Sequence, residues 1–369
     1  MTWCFALVLV VGFVISTVLC RLIRIFGPRW GWVDNPGHRK IHEKPMPTDG
    51  GLGIWLGVVL PLAVGQLMLW LFIRDRGSGQ ATFPLPESIE IHLPGLLQQS
   101  KKLWQLLGLG TVLVLLGLWD DLRGLSWKIR LGVQFLVAMA IVSLGWRASL
   151  FIDMPWLTYW LSVFWIVGLI NSFNMLDNMD GLSAGIATIC AGFLALVMLT
   201  NPSPATNQPQ LFIGGFLILL VGAMLGFLRH NRPPAKLFMG DCGAYFIGYL
   251  LATSTLSATY AGYDVPRQTI FVPIVILAVP LYDTISVIII RLKEKRSPFV
   301  GDKSHFSHRL VELGFTKPQA VGVVYLVTTI CCLGAVLLYH VNFSGAIIVF
   351  LQVLLMLLLI AIIETKRKR

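Results

Sequence analysis

Asn171 to Leu182 read NSFNMLDNMDGL and close an apolar run, Leu157 to Ile170. With the first residues of the stretch, that run is long enough to cross a bilayer. Asn171, Asn174, Asp177 and Asp180 recur every third residue, and Gly181 follows as a helix stop. At about 100° per residue, each step of three drifts roughly 60° around a helix. The four side chains therefore fan over half the circumference, with Asn174 and Asp177 sharing a face. A polar loop that merely ends a helix is the plain alternative. Two carboxylates and two amides beside hydrocarbon are costly without a task, which favours a functional site.

Working outward, the 369 residues are 56% hydrophobic and 13% charged, with mean hydropathy +0.76. Soluble domains carry nearer 25% charge, so the composition specifies an all-α polytopic membrane protein. Eleven spans are expected, near 2–24, 51–73, 104–119, 129–146, 157–175, 182–200, 211–228, 244–262, 269–290, 318–340 and 345–363. No Lys or Arg precedes the first apolar run, whereas Arg21, Arg24 and Arg29 follow it. That pattern suits a retained anchor with its N-terminus outside rather than a signal peptide. Alternation then leaves only Arg74, Arg76, Lys101, Lys102, Arg147 and Arg267 of the 29 Lys and Arg on the outer side. The C-terminus, ending KRKR, is expected in the cytoplasm. The whole of 1–369 reads as a single transmembrane domain with cytoplasmic loops near 25–50, 120–128, 176–181, 229–243 and 291–317. A net charge of +11 could suggest nucleic acid, but no soluble domain exists to carry a groove-reading element. The six cysteines show no paired metal spacing.

Under that topology Asp34, His42, Asp120, Asp121, Asp177, Asp180, Asp241, Asp302, His305 and His308 all fall on the cytoplasmic face, from five separate connections. The first, DNPGHRKIHEKPMPTDGG, is bent by proline and glycine and brings Arg39, Lys40, His42 and Lys44 as phosphate partners. The pair Asp120–Asp121 ends the third span, and near a polyphosphate such a pair holds a divalent cation or accepts a proton. Lys128 follows within reach of a lipid headgroup. In HNRPPAKLFMGDCG, Asp241 stands between glycines at a helix start, well placed as a metal ligand, and Phe238 offers a flat face for a base. His305, His308 and Arg309 lie within five residues in HFSHRL, suited to hydrogen-bonding a diphosphate or a sugar.

These motifs, in this order and over nearly the whole chain, resemble the polyprenyl-phosphate N-acetylhexosamine-1-phosphate transferases, the glycosyltransferase 4 family. The resemblance implies a multi-pass inner (plasma) membrane enzyme with a cytoplasmic active site. Such an enzyme transfers an N-acetylhexosamine 1-phosphate, with GlcNAc-1-phosphate favoured, from the UDP-sugar to undecaprenyl or another polyprenyl phosphate. UMP is released, in the first membrane step of a cell-envelope polysaccharide. Carried over by position, Asp241 resembles the family's Mg²⁺ ligand, a place Mn²⁺ can also take. Asn174 and Asp177 lie close to the metal and diphosphate. Phe238 resembles the uracil-stacking aromatic and Asn231 the asparagine ten residues before the metal ligand. Asp120 resembles the aspartate that deprotonates or positions the lipid phosphate, and Lys128 the lysine near that phosphate. Asp121, Asp177 and Asp180 join the catalytic acids, with Asn171 and Asn174 contacting substrate. His305, His308 and Arg309 match the loop against the sugar phosphate, and Lys44 the first-loop lysine. A homodimer is left open. One departure is Ser307, where many members carry a histidine. It argues mildly against the alternative substrate, UDP-MurNAc-pentapeptide of peptidoglycan synthesis. A prenyltransferase would not need FMGD or HFSHR. A proton-coupled transporter would place its carboxylates near the bilayer midplane.

Overall fold

The structure, a computed structural model, describes residues 2–34, 45–77, 93–148, 154–201, 208–257 and 267–365. Lys44 and the neighbouring basic residues Arg39, Lys40 and His42 lie outside the described residues. The chain runs through thirteen α-helices among the described residues: α1 (Thr2–Phe26), α2 (Gly51–Gly77), α3 (Leu93–Arg123), α4 (Trp127–Ser143), α5 (Pro155–Leu176), α6 (Leu182–Thr200), α7 (Leu211–Asn231), α8 (Gly240–Ser257), α9 (Val272–Ile276), α10 (Ala278–Lys293), α11 (Phe306–Glu312), α12 (Lys317–Leu337) and α13 (Phe343–Thr365). Two short strands, β1 (Val33–Asp34) and β2 (Met46–Pro47), pair antiparallel with Val33 opposite Pro47.

Eight helices are long and apolar enough to cross a membrane, or nine if the bent pair 267–276 and 278–293 is one span. This differs from the eleven expected. Helix α4 has only 17 residues, and α8 carries Asp241 in its first turn and is less apolar. The chain is a multi-pass, all-α membrane protein. Apolar residues such as Leu7, Val14, Leu355 and Leu359 face outward, as hydrocarbon rather than water allows. The centre of the bundle is α8, where every residue from Cys242 to Leu256 is buried.

Two close approaches decide where the functional loops meet. A Cβ on Gly117 of α3 would stand 2.3 Å from the Cys242 backbone nitrogen. One on Gly51, at the start of α2, would stand 2.2 Å from Gly243 Cα. Only glycine lets α2 and α3 converge on the first turn of α8. The backbone fastens this junction: Phe238 donates to Pro47 O (2.9 Å), Gly50 to Phe238 O (2.9 Å) and Gly51 to Met239 O (2.9 Å). The end of the first loop is thus sewn to the FMGD segment.

The bend of 63° between 267–276 and 278–293 also has a local cause. Pro280 has no N–H to give the Ile276 carbonyl four residues back. Two thiols from neighbouring helices take its place, Cys190 Sγ of α6 at 3.3 Å and Cys332 Sγ of α12 at 3.7 Å. A freed carbonyl inside a membrane protein must find such a partner. The bend sets the direction of α10, and α10 carries Asp283.

Candidate active site

The site is built on the start of α8. Asp121 accepts hydrogen bonds from the backbone nitrogens of Asp241 (3.0 Å, Oδ1) and Cys242 (3.2 Å, Oδ2). A carboxylate there satisfies free N–H groups at a helix N-terminus and complements its dipole. Asp241 is then held from three sides. Asn174 Nδ2 donates to Oδ1 at 2.6 Å, Tyr245 to Oδ2 at 3.1 Å, and Arg130 Nη1 stands 3.5 Å from Oδ2. Arg130 and Tyr245 also bind Asp120, at 2.7 and 3.2 Å, while Leu125 N donates to its other oxygen at 2.6 Å. Asp49, buried and at φ +67°, lies beneath this turn with Oδ2 lacking a hydrogen-bond partner among the described residues. Burial pushes its carboxyl up to about 6, and the Cys242 thiol beside Oδ1 opposes the shift.

The second wall is the turn between α5 and α6. Helix α5 stops at Leu176, and Gly181 (φ +76°) restarts the chain into α6. The turn is stapled to the segment after α7. Asn231 Oδ1 accepts from Gly181 N (2.8 Å) while its amide donates to Leu237 O (2.9 Å). Asp180 accepts from Ala235 N (2.9 Å), and Tyr325 donates to Gly181 O. The Asp177 side chain makes no hydrogen bond among the described residues. Burial, with the charges of Asp241, Asp121 and Asp180, pushes its carboxyl well above the ordinary range.

The third wall is the segment before α11. Asp283, fully buried on α10, meets His305 Nδ1 at 2.9 Å and accepts from Phe306 N at 2.6 Å. Ser307 donates to Asn178 Oδ1 (2.7 Å), joining this wall to the second. Burial and the neighbouring His305, Lys303 and Lys317 push His308 down to about 4, so its imidazole is neutral at pH 7. Burial alone would raise Asp302, but hydrogen bonds from Arg291 and Ser304 hold it below the usual carboxylate range.

The walls enclose a cavity of about 1010 Å³. Asp121, Asn174, Asp177, Asp180, Asn231, Phe238, Asp241 and His308 all line it, so eight of the residues singled out in the sequence meet at one place. Others stand back from the cavity, which revises the reading of them as direct substrate contacts. Asn171 donates to Gln134 (2.6 Å) and to Val167 O (2.8 Å). Arg309 is buried, ion-paired with Glu364 of α13 at 3.0 Å and bonded to Ser304 O and Ser286. His305 is turned to Asp283, with its ring centroid 6.3 Å from that of His308. Asp120 is engaged by Arg130 and Tyr245. Lys128 is exposed and lies over the Trp127 ring at 5.8 Å. Asn231 and Asp180 line the cavity, yet their hydrogen bonds are structural staples. Arg130, Tyr245, Asp283 and Glu364 were absent from the sequence reading. A lone acid inside an apolar run, as in PLYDTIS, was the available signal for Asp283.

The donor chemistry suits a hard divalent cation. Asp177 and Asp241 offer carboxylate oxygens and Asn174 an amide oxygen, the ligand types Mg²⁺ takes. The unpartnered, charge-crowded carboxylate of Asp177 is the observation that makes the fit, since a cation would relieve both burdens.

Comparison with known proteins bears on this geometry. Residues 103–259, which run from α3 into the segment after α8, match the family model for glycosyl transferase family 4. The Bacillus subtilis (strain 168) protein named "Probable undecaprenyl-phosphate N-acetylglucosaminyl 1-phosphate transferase" is 30% identical over 94% of this chain and 90% of its own length. The chain belongs to glycosyl transferase family 4. It is therefore an enzyme of the sugar-phosphate transferase type. The decaprenyl-phosphate N-acetylglucosaminephosphotransferase of Mycolicibacterium smegmatis is 28% identical, over 89% of this chain and 81% of that protein. The undecaprenyl-phosphate alpha-N-acetylglucosaminyl 1-phosphate transferase of Escherichia coli (strain K12) is 27% identical, over 90% and 83%. The matched family segment contains Asp120, Asp121, Asn174, Asp177 and Asp241, whereas the first loop and the His305–Arg309 segment lie outside it.

Proposed function

We propose that this family 4 enzyme transfers N-acetylglucosamine 1-phosphate from UDP-N-acetylglucosamine to a polyprenyl phosphate such as undecaprenyl phosphate. UMP is the second product, and the reaction opens the assembly of a cell-envelope polysaccharide at the cytoplasmic face of the inner membrane. On this reading the chain crosses the membrane eleven times, α4, α8 and the bent pair included, with the N-terminus outside. The observation that carries the proposal is the joining of Asp177, Asn174 and Asp241 with Phe238 and His308 around one cavity at the helix ends. The names of the three relatives support the sugar and the lipid.

A phosphate monoester has a second pKa near 6 and is mostly dianionic at neutral pH, so the acceptor needs little help from a base. An oxygen of the lipid phosphate attacks the β-phosphorus of the nucleotide sugar in line, and the bond from that phosphorus to the α–β bridging oxygen breaks. The bridging oxygen leaves with UMP, and the sugar stays on the new diphosphate. Asp241, Asp177 and Asn174 would hold Mg²⁺, which when bound neutralises diphosphate charge. Lys303 and Lys317, lining the far side, add positive charge against the two anions. Phe238 gives the uracil a face to stack on. His308, neutral at pH 7, hydrogen-bonds the sugar or its phosphate rather than pairing as a cation. Asp120 is held by Arg130 and Tyr245 and acts by positioning Arg130 beside Asp241. The carboxylates crowd the ends of helices rather than a midplane break, which disfavours a transporter.

The deciding experiment measures UMP release by purified protein with undecaprenyl phosphate, Mg²⁺ and UDP-N-acetylglucosamine, beside Asp241→Asn. Release that requires lipid and metal and is lost in the variant supports the reading. Release only with UDP-MurNAc-pentapeptide moves the chain to peptidoglycan synthesis, and silence with every donor from folded protein refutes the transfer.

A further inference from the structure

A second cavity, of about 760 Å³, lies at the same end of the bundle, between the end of α7 and the start of α12. Its walls are apolar, among them Phe13 of α1, Leu228 of α7 and Val321 of α12. Its rim carries Arg229 and Arg232, both exposed. Neither has an ion pair or hydrogen bond among the described residues, while Arg130, Arg291, Arg296 and Arg309 are all paired. Arg24 and Lys236 reinforce the field, since both act with Arg229 on the intervening His230. Two guanidinium groups above an apolar slot between membrane-crossing helices match a lipid with an anionic headgroup. The phosphate takes the forked donors and an acyl chain lies along the slot.

This cavity is separate from the reaction cavity, with which it shares no lining residue. The wall between them is the turn itself and the proline pair. Gly181 and Pro233 face the groove, while Asp180 and Pro234 face the reaction side. A phosphate seated on Arg229 and Arg232 is therefore on the wrong side of the wall to meet a donor diphosphate beside Asp241. The geometry points to an anionic phospholipid, not the polyprenyl phosphate acceptor, as the occupant: a lipid of the phosphatidylglycerol type bound behind the Asp177–Gly181 turn. Its consequence is a firmer turn, because Tyr325 in the groove wall donates to Gly181 O and Gly181 N is held by Asn231.

The inference goes beyond the transfer reaction, and its readout is lipid binding, so either can fail alone. The full chain, delipidated in detergent, is titrated with phosphatidylglycerol, phosphatidylcholine and undecaprenyl phosphate and followed by native mass spectrometry. Phosphatidylglycerol is expected to bind saturably and phosphatidylcholine not. The double variant Arg229→Gln with Arg232→Gln should weaken phosphatidylglycerol about thirtyfold, the loss of two near-surface charge contacts. Gly322→Leu serves as the second variant. Gly322 lines the groove, and a Cβ there meets nothing within 4 Å, so the change fills the slot with both arginines intact. It should block phosphatidylglycerol without altering the melting temperature of the lipid-free protein. Equal binding of the two phospholipids, or full binding by both variants, overturns the assignment. So does displacement of phosphatidylglycerol by undecaprenyl phosphate with the same dependence on Arg229 and Arg232, which would make the groove the acceptor's.

Discussion

Asp283→Asn separates the two duties of the buried aspartate. In the native protein one carboxylate oxygen accepts from Phe306 N at 2.6 Å, fixing the start of α11, and the other faces His305 Nδ1 at 2.9 Å. An acceptor facing Nδ1 holds the proton there and leaves Nε2 as an acceptor. Asparagine keeps an oxygen for Phe306 but presents an N–H₂ to His305, so the proton must move to Nε2. The loop stays in place while the tautomer reverses. A charged hydrogen bond worth about 1.5–3 kcal/mol becomes a neutral one of about 0.5–1.5, so the stability loss is roughly 1–2 kcal/mol. Asp283→Ala instead strands two buried donors and costs roughly 2–5 kcal/mol. The expected activities, read as kcat/KM for UMP release, are a fall of about tenfold for the asparagine variant and over a hundredfold for alanine. Thermal melting read in parallel shows whether each variant is folded. An asparagine variant that melts within a degree of the native protein and keeps its full kcat/KM would refute the idea that Asp283 sets the His305 tautomer for the reaction.

Four further outcomes are expected. Gly117→Ala places a Cβ 2.3 Å from the Cys242 nitrogen and should part α3 from α8; activity is lost, whereas Gly132→Ala, with open space around it, keeps it in the same assay. His308 titrates at about 4 when folded and near 6.5 when unfolded, so it stabilises the fold above pH 6.5 and that contribution is lost as pH falls toward 4. His308→Gln should therefore narrow the difference in melting temperature between pH 7 and pH 4.5, and an unchanged difference counts against the assignment. Replacing Cys190 and Cys332 together by alanine strands the Ile276 carbonyl and should cost about 1–3 kcal/mol in denaturant unfolding; a variant as stable as the native protein would show that the thiols are idle. Removing divalent cations with a chelator should abolish UMP release and leave the helical circular dichroism intact, with Mg²⁺ restoring activity; full activity in chelator would exclude the cation at Asp177 and Asp241.

The fold was legible where free energy is local. Apart from the run at 269–290, which is broken by the 63° bend, each expected apolar run coincides with one helix among the described residues, because a run of that length in lipid has no other way to satisfy its backbone. The motifs were equally legible as a group, since polar, proline- and glycine-punctuated segments recur at alternate connections, on one end of the bundle. What the sequence pattern obscured turns on angle or distance. Asn171 and Asp180 are three steps of roughly 60° apart, so a period of three cannot keep them on one face. Asn171 accordingly meets Gln134 on α4, while Asn174 one step later meets Asp241. Asp180 is not on that helix at all, which stops at Leu176.

Arg130, Tyr245, Asp283 and Glu364 share another kind of concealment. Each acts on a residue that the sequence did identify, and each does so from a different helix or a different turn. Tyr245 was recoverable by rule, because it stands four residues after Asp241 and so faces the same way, and Asp283 as a lone acid in an apolar run. The partners that Arg130, Asp283 and Glu364 take are ones that only packing creates. Arg130 on α4 reaches both Asp120 of α3 and Asp241 of α8, so it couples the two acidic motifs. Glu364 fastens Arg309 from the last helix, with Tyr282 of α10 donating to the same oxygen at 2.8 Å. The His305–Arg309 segment is thereby gripped from two helices at once, by Asp283 and Ser286 of α10 and by Glu364 of α13. That grip explains why a segment following a basic surface loop can form a cavity wall. Its polar atoms point backward into the bundle as anchors, leaving His308 as the one side chain of the segment that lines the cavity. Glu364→Gln should then raise KM for the donor several-fold more than it lowers kcat, since it loosens a wall without touching the reacting atoms. A fall in kcat alone would place Arg309 at the chemistry instead.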